Sequence, residues 1–225
     1  MLQKPNRFWI GAGIILLLLF NPAHAGSLIQ FEEQALIGFE SDGKTYGYYG
    51  ASNRRTGFSC VFLFQTFEPA KDSLINQKIL SFYTASNFQQ RNGARDIAGS
   101  LHQDENDWVI TLEDQVGGCD AAVGWNFRLR PHDKDVKVFK GTKKTPAIGL
   151  MLASKTTSFY KSRNGKFIPI KSVVTQNDLF IVLKKSGNYS YGRYVSTEVS
   201  EVMDSPAVAT GWIQSADLVN PFKSN

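Results

Sequence analysis

The residue types that could support covalent catalysis are few, and they are widely spaced in the sequence. Cys60 and Cys119 are the only two cysteines, and two histidines, His102 and His132, follow the first 25 residues. A cysteine nucleophile needs a nearby imidazole to take its proton, and its pKa falls at the start of a helix. Cys60 lies in an apolar run, whereas Cys119 follows two glycines and precedes Asp120. Cys119 is the better nucleophile candidate, although neither cysteine lies in a known catalytic motif.

Other catalytic chemistry also has little support in the sequence. A zinc site needs three or four ligands at suitable spacing, and the two histidines lie in polar stretches without further ligand residues nearby. A glycosidase needs two carboxylates that flank a cleft; the nearest candidates are Glu105, Asp107, Glu113 and Asp114. No G-x-S-x-G motif and no phosphate-binding glycine-rich loop occurs. We therefore predict no catalytic residues, no metal and no cofactor, with a carboxylate enzyme as the weaker alternative.

The first 25 residues have the three parts of a secretory signal peptide. Lys4 and Arg7 form a positive start, residues 8–20 are apolar, and Ala23-His24-Ala25 supplies an A-x-A cleavage site. Cleavage after Ala25 would leave Gly26 as the first residue of the mature chain. An uncleaved membrane anchor is the alternative, but a spanning helix needs about 20 apolar residues. We predict a periplasmic or secreted protein that does not span a membrane after cleavage.

Export makes a disulfide bond between Cys60 and Cys119 the expected state of the two cysteines. Oxidising compartments favour disulfides, and two cysteines allow one intramolecular pairing. Closing a loop of this length stabilises a fold by roughly 4 kcal/mol in the chain-entropy model. Two free thiols remain the alternative. A bond at these positions would staple the N-terminal half of the chain.

The hydropathy pattern predicts a mostly β protein. Short apolar or alternating runs are separated by Gly, Asn, Asp and Ser, which is typical of antiparallel strands and turns. The clearest strand candidates are residues 46–49, 58–67, 108–112 and 125–129. One short helix is expected at residues 70–80. The pattern favours an antiparallel sandwich or barrel in the N-terminal half.

The charge distribution divides the chain into two units. Residues 26–132 contain nine Lys and Arg against thirteen Asp and Glu, whereas residues 133–225 contain fourteen against seven. We interpret 26–132 as an acidic β-rich domain and the lysine-rich stretch 133–147 as a linker. A docking site for an anionic partner within that linker is an alternative. Outside the cytoplasm, nucleic acid is not an expected partner of the basic half.

The C-terminal part is a succession of short strands that resembles a bacterial SH3-like (SH3b) domain over about residues 148–220. The resemblance rests on an apolar strand, a small polar turn, a tyrosine-led strand and a closing Gly-Trp-Ile segment with Ser and Leu shortly after it. Those features are residues 180–183, 184–188, 189–194, Gly211-Trp212-Ile213, Ser215 and Leu218. The resemblance implies a small SH3-like β-barrel after the acidic domain.

Aromatic residues of this module are the candidate ligand-binding residues. In a strand, Tyr189 and Tyr191 share one face and Tyr194 lies on the other. One face should pack inside, and the other could offer an aromatic groove of the kind that SH3-type folds use for peptides. We predict Tyr160, Tyr189, Tyr191 and Trp212 as ligand contacts. A structural role in the core is the alternative, above all for Trp212.

Together these features favour an exported, non-catalytic envelope protein that binds a protein partner, as an inhibitor or immunity-type module does. The alternative is an SH3b-mediated peptidoglycan-binding protein. The weaker alternative, which the SH3b resemblance brings with it, is a cell-wall hydrolase. The expected partner is therefore an envelope protein or peptidoglycan.

Overall fold

The structure, a computed structural model, describes residues 26–53, 55–67, 76–82, 93–195 and 208–222. These residues form fifteen strands in two antiparallel sheets, which confirms the predicted mostly β fold. The predicted signal peptide, including Ala25 of the cleavage site, lies outside the described residues. Gly26 begins the first strand.

The first eight strands form a closed antiparallel barrel in chain order. Each strand pairs with the next, and the first pairs with the eighth to close the barrel. The strands are β1 (Gly26–Phe31), β2 (Leu36–Ser41), β3 (Lys44–Asn53), β4 (Phe58–Thr66), β5 (Asn76–Phe82), β6 (Ile97–Asp104), β7 (Asp107–Leu112) and β8 (Phe139–Ala147). A 3₁₀ turn at Gly93–Arg95 precedes β6.

Large aromatic side chains fill the barrel. Alternate residues of each strand point inward, because successive side chains of a strand lie on opposite faces. Trp108, Tyr49, Phe62 and Phe64 are all essentially inaccessible to solvent. The Trp108 ring packs edge-on against Phe31 at a centroid distance of 4.9 Å. The described interior of the barrel is therefore a core packed with aromatic side chains.

The predicted disulfide joins Cys60 of β4 to Cys119, the first residue of a short helix, α1 (Cys119–Val123). Both cysteines belong to the barrel core. After α1 the chain returns Phe127 to that core, where its ring packs edge-on against Tyr49 at 5.0 Å. The disulfide thus fastens the segment that covers one end of the barrel. Among the described residues, no helix is long and apolar enough to cross a bilayer.

The stretch 133–147, predicted as a linker, instead supplies strand β8, so the N-terminal unit extends to Ala147. β8 pairs with β1 along nearly its whole length. Its apolar ends, Phe139 and Ala147, are buried, whereas Lys140 and Lys143 are exposed. These two lysines point away from the barrel interior. Because they are exposed, the sequence of this barrel strand resembles that of a solvent-exposed linker.

The predicted helix at residues 70–80 is wrong over its described part. Residues 76–80 belong to β5, which pairs with β4 and β6. Gln77 and Ile79 are buried, and the lysine between them is exposed. This alternation is the pattern of a strand.

The remaining strands form a seven-stranded sheet in the order β11-β10-β14-β13-β12-β9-β15. The strands are β9 (Gly149–Ala153), β10 (Thr157–Arg163), β11 (Lys166–Val174), β12 (Leu179–Ser186), β13 (Tyr189–Val195), β14 (Val208–Gln214) and β15 (Leu218–Val219). A 3₁₀ turn at Ser215–Asp217 connects the last two. We call this sheet the C-terminal sheet.

The C-terminal sheet packs on the outside of the barrel. Leu150, Leu179 and Ile181 of the sheet share one buried apolar cluster with Ile37 and Leu63 of the barrel. All five are at most 4 % exposed. Burial of this extent makes the two units parts of one packed structure.

Candidate binding surface on the C-terminal sheet

A row of side chains crosses the C-terminal sheet from strand to strand. Tyr160 of β10 lies opposite Trp212 of β14, and Trp212 lies opposite Tyr191 of β13. Tyr191 in turn lies opposite Lys184 of β12, and Pro169 of β11 is the other neighbour of Tyr160. Residues that lie opposite each other on paired strands share a face of the sheet. Five strands therefore contribute one residue each to a single row.

Two further rings extend the row into a cluster. Phe167 stacks on Tyr189 at a centroid distance of 3.8 Å and contacts Trp212 at 5.2 Å. Tyr160 lies 5.1 Å from Tyr189, and Tyr191 lies 5.3 Å from Trp212. We call these five residues, all of them half-buried, the aromatic surface.

The aromatic surface contains all four residues that the sequence predicted as ligand contacts. Tyr160, Tyr189, Tyr191 and Trp212 come from three strands, and the register of the sheet brings them together. Sequence reasoning missed Phe167, which lies two residues before Pro169 in a stretch that resembled ordinary strand sequence. The alternation of β11 gave the signal, because Phe167 and Pro169 share a face.

Polar groups frame the aromatic surface at two points. The Lys184 ammonium lies 4.7 Å from the centroid of the Tyr191 ring and 5.3 Å from that of Trp212. Such cation–π contacts hold an exposed ammonium in place while leaving it hydrated. On the other side, the Gln214 amide donates to the Tyr160 hydroxyl at 3.1 Å. The rings therefore have fixed positions as well as exposed area.

The opposite face of the same strands forms a small core that keeps the aromatic surface in place. Phe159, Phe180 and Ile213 are fully buried there, and Tyr194 packs against them, as the alternation of β13 predicts. At Gly211 the sheet approaches this core so closely that a Cβ would lie 2.7 Å from the Phe159 ring. The surface is therefore backed by well-packed side chains.

The face that carries the aromatic surface is also the face that packs on the barrel. Ile181, which contacts the barrel, lies opposite Arg193 on β13. With the Gln30 amide oriented to accept, its oxygen lies 2.6 and 2.7 Å from the two terminal nitrogens of Arg193. Burial of Arg193 lowers the pKa of its guanidinium. Tyr191 lies two residues before Arg193 on the same face of β13, and both side chains are half-buried.

The candidate nucleophile and metal-binding residues do not form a catalytic site. Cys60 and Cys119 are bonded to each other. His102 lies in β6 rather than in a loop, and its ring centroid is 6.3 Å from that of His132. Within the described ranges, no three His, Cys, Asp or Glu side chains are grouped as metal ligands would be.

The candidate carboxylates lie in two places on the barrel surface. Glu105 lies in the β6–β7 turn and Asp107 begins β7, whereas Glu113 and Asp114 follow the other end of β7. A strand of this length separates its ends by about 20 Å, which is too far for two carboxylates from different ends to flank one glycosidic bond.

A cavity of about 230 Å³ lies where the barrel meets the C-terminal sheet. Phe39, Asp42, Tyr46, Met151 and Phe222 contribute to its walls. Burial and the nearby Asp42 carboxylate both raise the pKa of Tyr46. The volume of this cavity is below that of most small-molecule sites. The aromatic surface is therefore the better candidate site.

Comparisons with known proteins add no relative to this picture: no protein-family model, no curated protein and no solved structure matches the chain significantly. The geometry of the aromatic surface and the sequence therefore carry the functional argument.

Proposed function

We propose that the chain is an exported, non-catalytic protein of the bacterial cell envelope that binds an extended segment of a protein partner. The observation that carries this proposal is the aromatic surface, in which five half-buried rings meet on one face of the C-terminal sheet. Tyr and Trp are enriched in the energetic centres of protein interfaces. Exposed apolar clusters on a folded protein mark interaction sites. An inhibitor or immunity-type role, with an envelope enzyme as partner, fits such a surface.

The dimensions of the row suit an extended peptide. Neighbouring strands lie about 4.8 Å apart, so the five residues from Pro169 to Lys184 span roughly 19 Å from strand to strand. An extended chain covers this distance with about six residues, at some 3.3 Å each. A segment lying across the strands would place alternate side chains against the rings.

The order of elements supports the assignment of the C-terminal unit to the SH3b type. An apolar strand, β12, is followed by a tight turn at Gly187 and by the tyrosine-led strand β13. The segment Gly211-Trp212-Ile213 lies in β14 and leads into a 3₁₀ turn and a closing strand. The sequence resemblance rests on these same segments. In the structure they are strands and turns of one sheet.

Export is supported by the disulfide and by the signal-like sequence. The bond between Cys60 and Cys119 is typical of proteins that fold in an oxidising compartment. The same bond removes both cysteines as free nucleophiles, which favours a binding role over a thiol-dependent hydrolase.

Affinity capture with matched variants tests the proposal. The mature chain, residues 26–225, is immobilised and exposed to envelope extract, and bound proteins are identified by mass spectrometry. Trp212→Ala is used in parallel, with Ile168→Ala as control because Ile168 is 49 % exposed and lies opposite Lys161, outside the aromatic surface. We expect one partner that wild type and Ile168→Ala retain and Trp212→Ala loses.

Two results would contradict the proposal. One is a partner that binds Trp212→Ala as well as wild type, and the other is no specific capture from a native envelope. Circular dichroism of each variant shows whether a loss of capture reflects binding or folding. Trp212→Leu, which keeps an apolar side chain, serves the same purpose.

Peptidoglycan binding is the second candidate, and the flat stack of Phe167 on Tyr189 favours it because rings can pack against sugars as well as peptides. Sedimentation with purified sacculi decides the question. Protein that stays in the supernatant at low salt excludes this candidate. Sedimentation that Trp212→Ala does not reduce would indicate only ionic attraction to the basic half.

A further inference from the structure

The charges in the described part of the C-terminal unit are mostly of one sign. In its described part, residues 148–195 and 208–222, there are eight Lys and Arg residues and two Asp residues. The β10–β11 hairpin, to which Tyr160 and Phe167 belong, contributes four exposed cations and no acidic residue. Those four are Lys161, Arg163, Lys166 and Lys171. By strand alternation Lys171 shares the face of Phe167 and Pro169, whereas the other three belong to the opposite face of the hairpin.

Neither of the two Asp residues faces the aromatic surface. Asp217 is 5 % exposed, accepts from the Thr157 hydroxyl at 2.6 Å and pairs with the Lys155 ammonium at 2.9 Å. Asp178 precedes β12, whereas Lys184 lies near the far end of that strand. Six residues of strand correspond to about 20 Å. Among the described residues of the C-terminal unit, therefore, cations border the aromatic surface and neither carboxylate opposes them.

Three cations occupy defined positions along its border. Lys184 ends the row and lies over the Tyr191 and Trp212 rings. Arg193, next to Tyr191 on the same face, contacts Gln30 of the barrel. Lys143, the cross-strand neighbour of Gln30 on β8, is exposed on that side of the barrel. A ligand on the rings thus has positive charge at the β12 end, from Lys184, and beside Tyr191, from Arg193.

We infer that the aromatic surface selects an acidic extended peptide, in which apolar or aromatic side chains contact the rings and a carboxylate reaches Lys184. The inference rests on the proposed function and specifies the chemistry of the partner segment. A carboxylate next to the ammonium would form a charge-assisted hydrogen bond at the edge of an apolar contact. The same charges would repel a basic segment, so they discriminate between partners as well as attract one.

A peptide selection tests the chemical preference and does not require the natural partner. A random decapeptide display library is selected on the mature chain, with counter-selection on Trp212→Ala so that only ligands of the aromatic surface are recovered. We expect recovered peptides to be enriched in Asp and Glu beside Phe, Tyr, Trp or Leu. Replacing their acids by Asn and Gln should weaken binding about tenfold at 50 mM salt, and this difference should shrink at 500 mM.

Two neighbouring lysines provide the matched variants. Lys184 lies opposite Tyr191 on the aromatic face, whereas Lys185 is exposed and lies opposite the buried Ser190, on the other face. Lys184→Glu should weaken the selected acidic peptides at least tenfold, and Lys185→Glu, with the same change in net charge, no more than about threefold. Lys184→Met keeps the apolar stem and should give an intermediate loss. Circular dichroism and thermal unfolding verify that each variant is folded.

The outcomes separate this inference from the proposed function. Neutral or basic peptides that bind wild type but not Trp212→Ala would overturn the acidic preference and leave the peptide-binding function intact. Equal effects of Lys184→Glu and Lys185→Glu would also overturn it. A library that yields no peptide dependent on Trp212 would contradict the proposed function, and the inference with it.

Discussion

The rings of Phe167 and Tyr189 stack nearly parallel, with a centroid distance of 3.8 Å and an interplanar angle of 16°. Phe167 lies in β11 and Tyr189 in β13, with β10 and β14 between their strands in the sheet. The stack therefore bridges across the row from Tyr160 to Tyr191 and makes the aromatic surface one continuous patch. We therefore expect Phe167 to contribute to ligand binding, although its place in the sequence does not suggest it.

Phe167→Ala should weaken binding of the captured partner about tenfold, because it removes one ring of the stack and exposes Tyr189. The free energy of unfolding should fall by only about 1 kcal/mol, since Phe167 is half-buried and such ring pairs contribute about 0.5–1.5 kcal/mol. Titration calorimetry and urea unfolding measure the two effects. Ile168→Ala is the control, and a loss of affinity as large as that of Phe167→Ala would argue against a role for the stack.

Removing the disulfide should destabilise the protein by about 4 kcal/mol. The bond closes a loop with a sequence separation of 59 residues, and the chain-entropy model assigns this amount to such a loop. The double variant Cys60→Ser, Cys119→Ser is compared with wild type by urea unfolding. Wild type treated with dithiothreitol should unfold at the same urea concentration as the variant. A loss below about 1 kcal/mol would show that the segment covering the barrel end is held by packing alone.

Gly38→Ala should destabilise the barrel by about 1–3 kcal/mol, the usual cost of overpacking a core. A Cβ at Gly38 would lie 2.4 Å from the fully buried Trp108 ring, so the ring or the strand would have to shift. Gly149→Ala is the matched strand control, because its Cβ would lie 3.5 Å from the flexible end of Met151. Equal melting temperatures for the two variants would contradict the prediction.

Tyr49→Phe should leave stability at pH 7 unchanged or raise it by about 1 kcal/mol. The Tyr49 hydroxyl is buried and has no hydrogen-bond partner among the described residues, and an unpaired buried hydroxyl costs free energy.

Tyr49→Phe should also change how the free energy of unfolding depends on pH in the alkaline range. Burial, and then the nearby Glu33 carboxylate, raise the pKa of Tyr49 above its usual value of 10. Below pH 10 the hydroxyl is protonated in both the folded and the unfolded chain, whereas above pH 10 only the unfolded chain ionises it, so the stability of the wild type falls as the pH rises above 10. Wild type should therefore lose about 1.4 kcal/mol more than Tyr49→Phe for each pH unit above 10. Urea unfolding between pH 9 and 11.5 measures the difference, and parallel curves would exclude it.

Local patterns predicted the β architecture and the disulfide, and the four rings that they singled out as ligand contacts lie together on the sheet. Strand alternation placed Tyr189 and Tyr191 on one face and Tyr194 on the other, because a period of two residues depends only on backbone geometry. The compartment implied by the first residues made the cysteine pairing foreseeable. Contacts within one strand or one turn are what a sequence pattern specifies.

The features that the sequence did not predict depend on pairing between distant segments of the chain. β8 looked like a linker because its lysines face solvent, and only its pairing with β1 reveals a barrel strand. His102 and His132 are 30 positions apart in the sequence, and the position of β6 brings their ring centroids to 6.3 Å. Phe167 belongs to the aromatic surface through the register of four strands, which no short window of sequence contains.

Pro169, which ends the row on β11, also affects how the protein behaves at high concentration. β11 is the last strand of the described C-terminal sheet, and Ile168 and Val173 on it are about half exposed. An apolar edge strand can template pairing with the edge of another molecule, and this is a common start of aggregation. Pro169 supplies no backbone N–H to such a ladder, and Lys166 and Lys171 on the same strand add mutual repulsion between copies. The edge therefore leaves the rings available to a ligand while opposing self-association of the sheet.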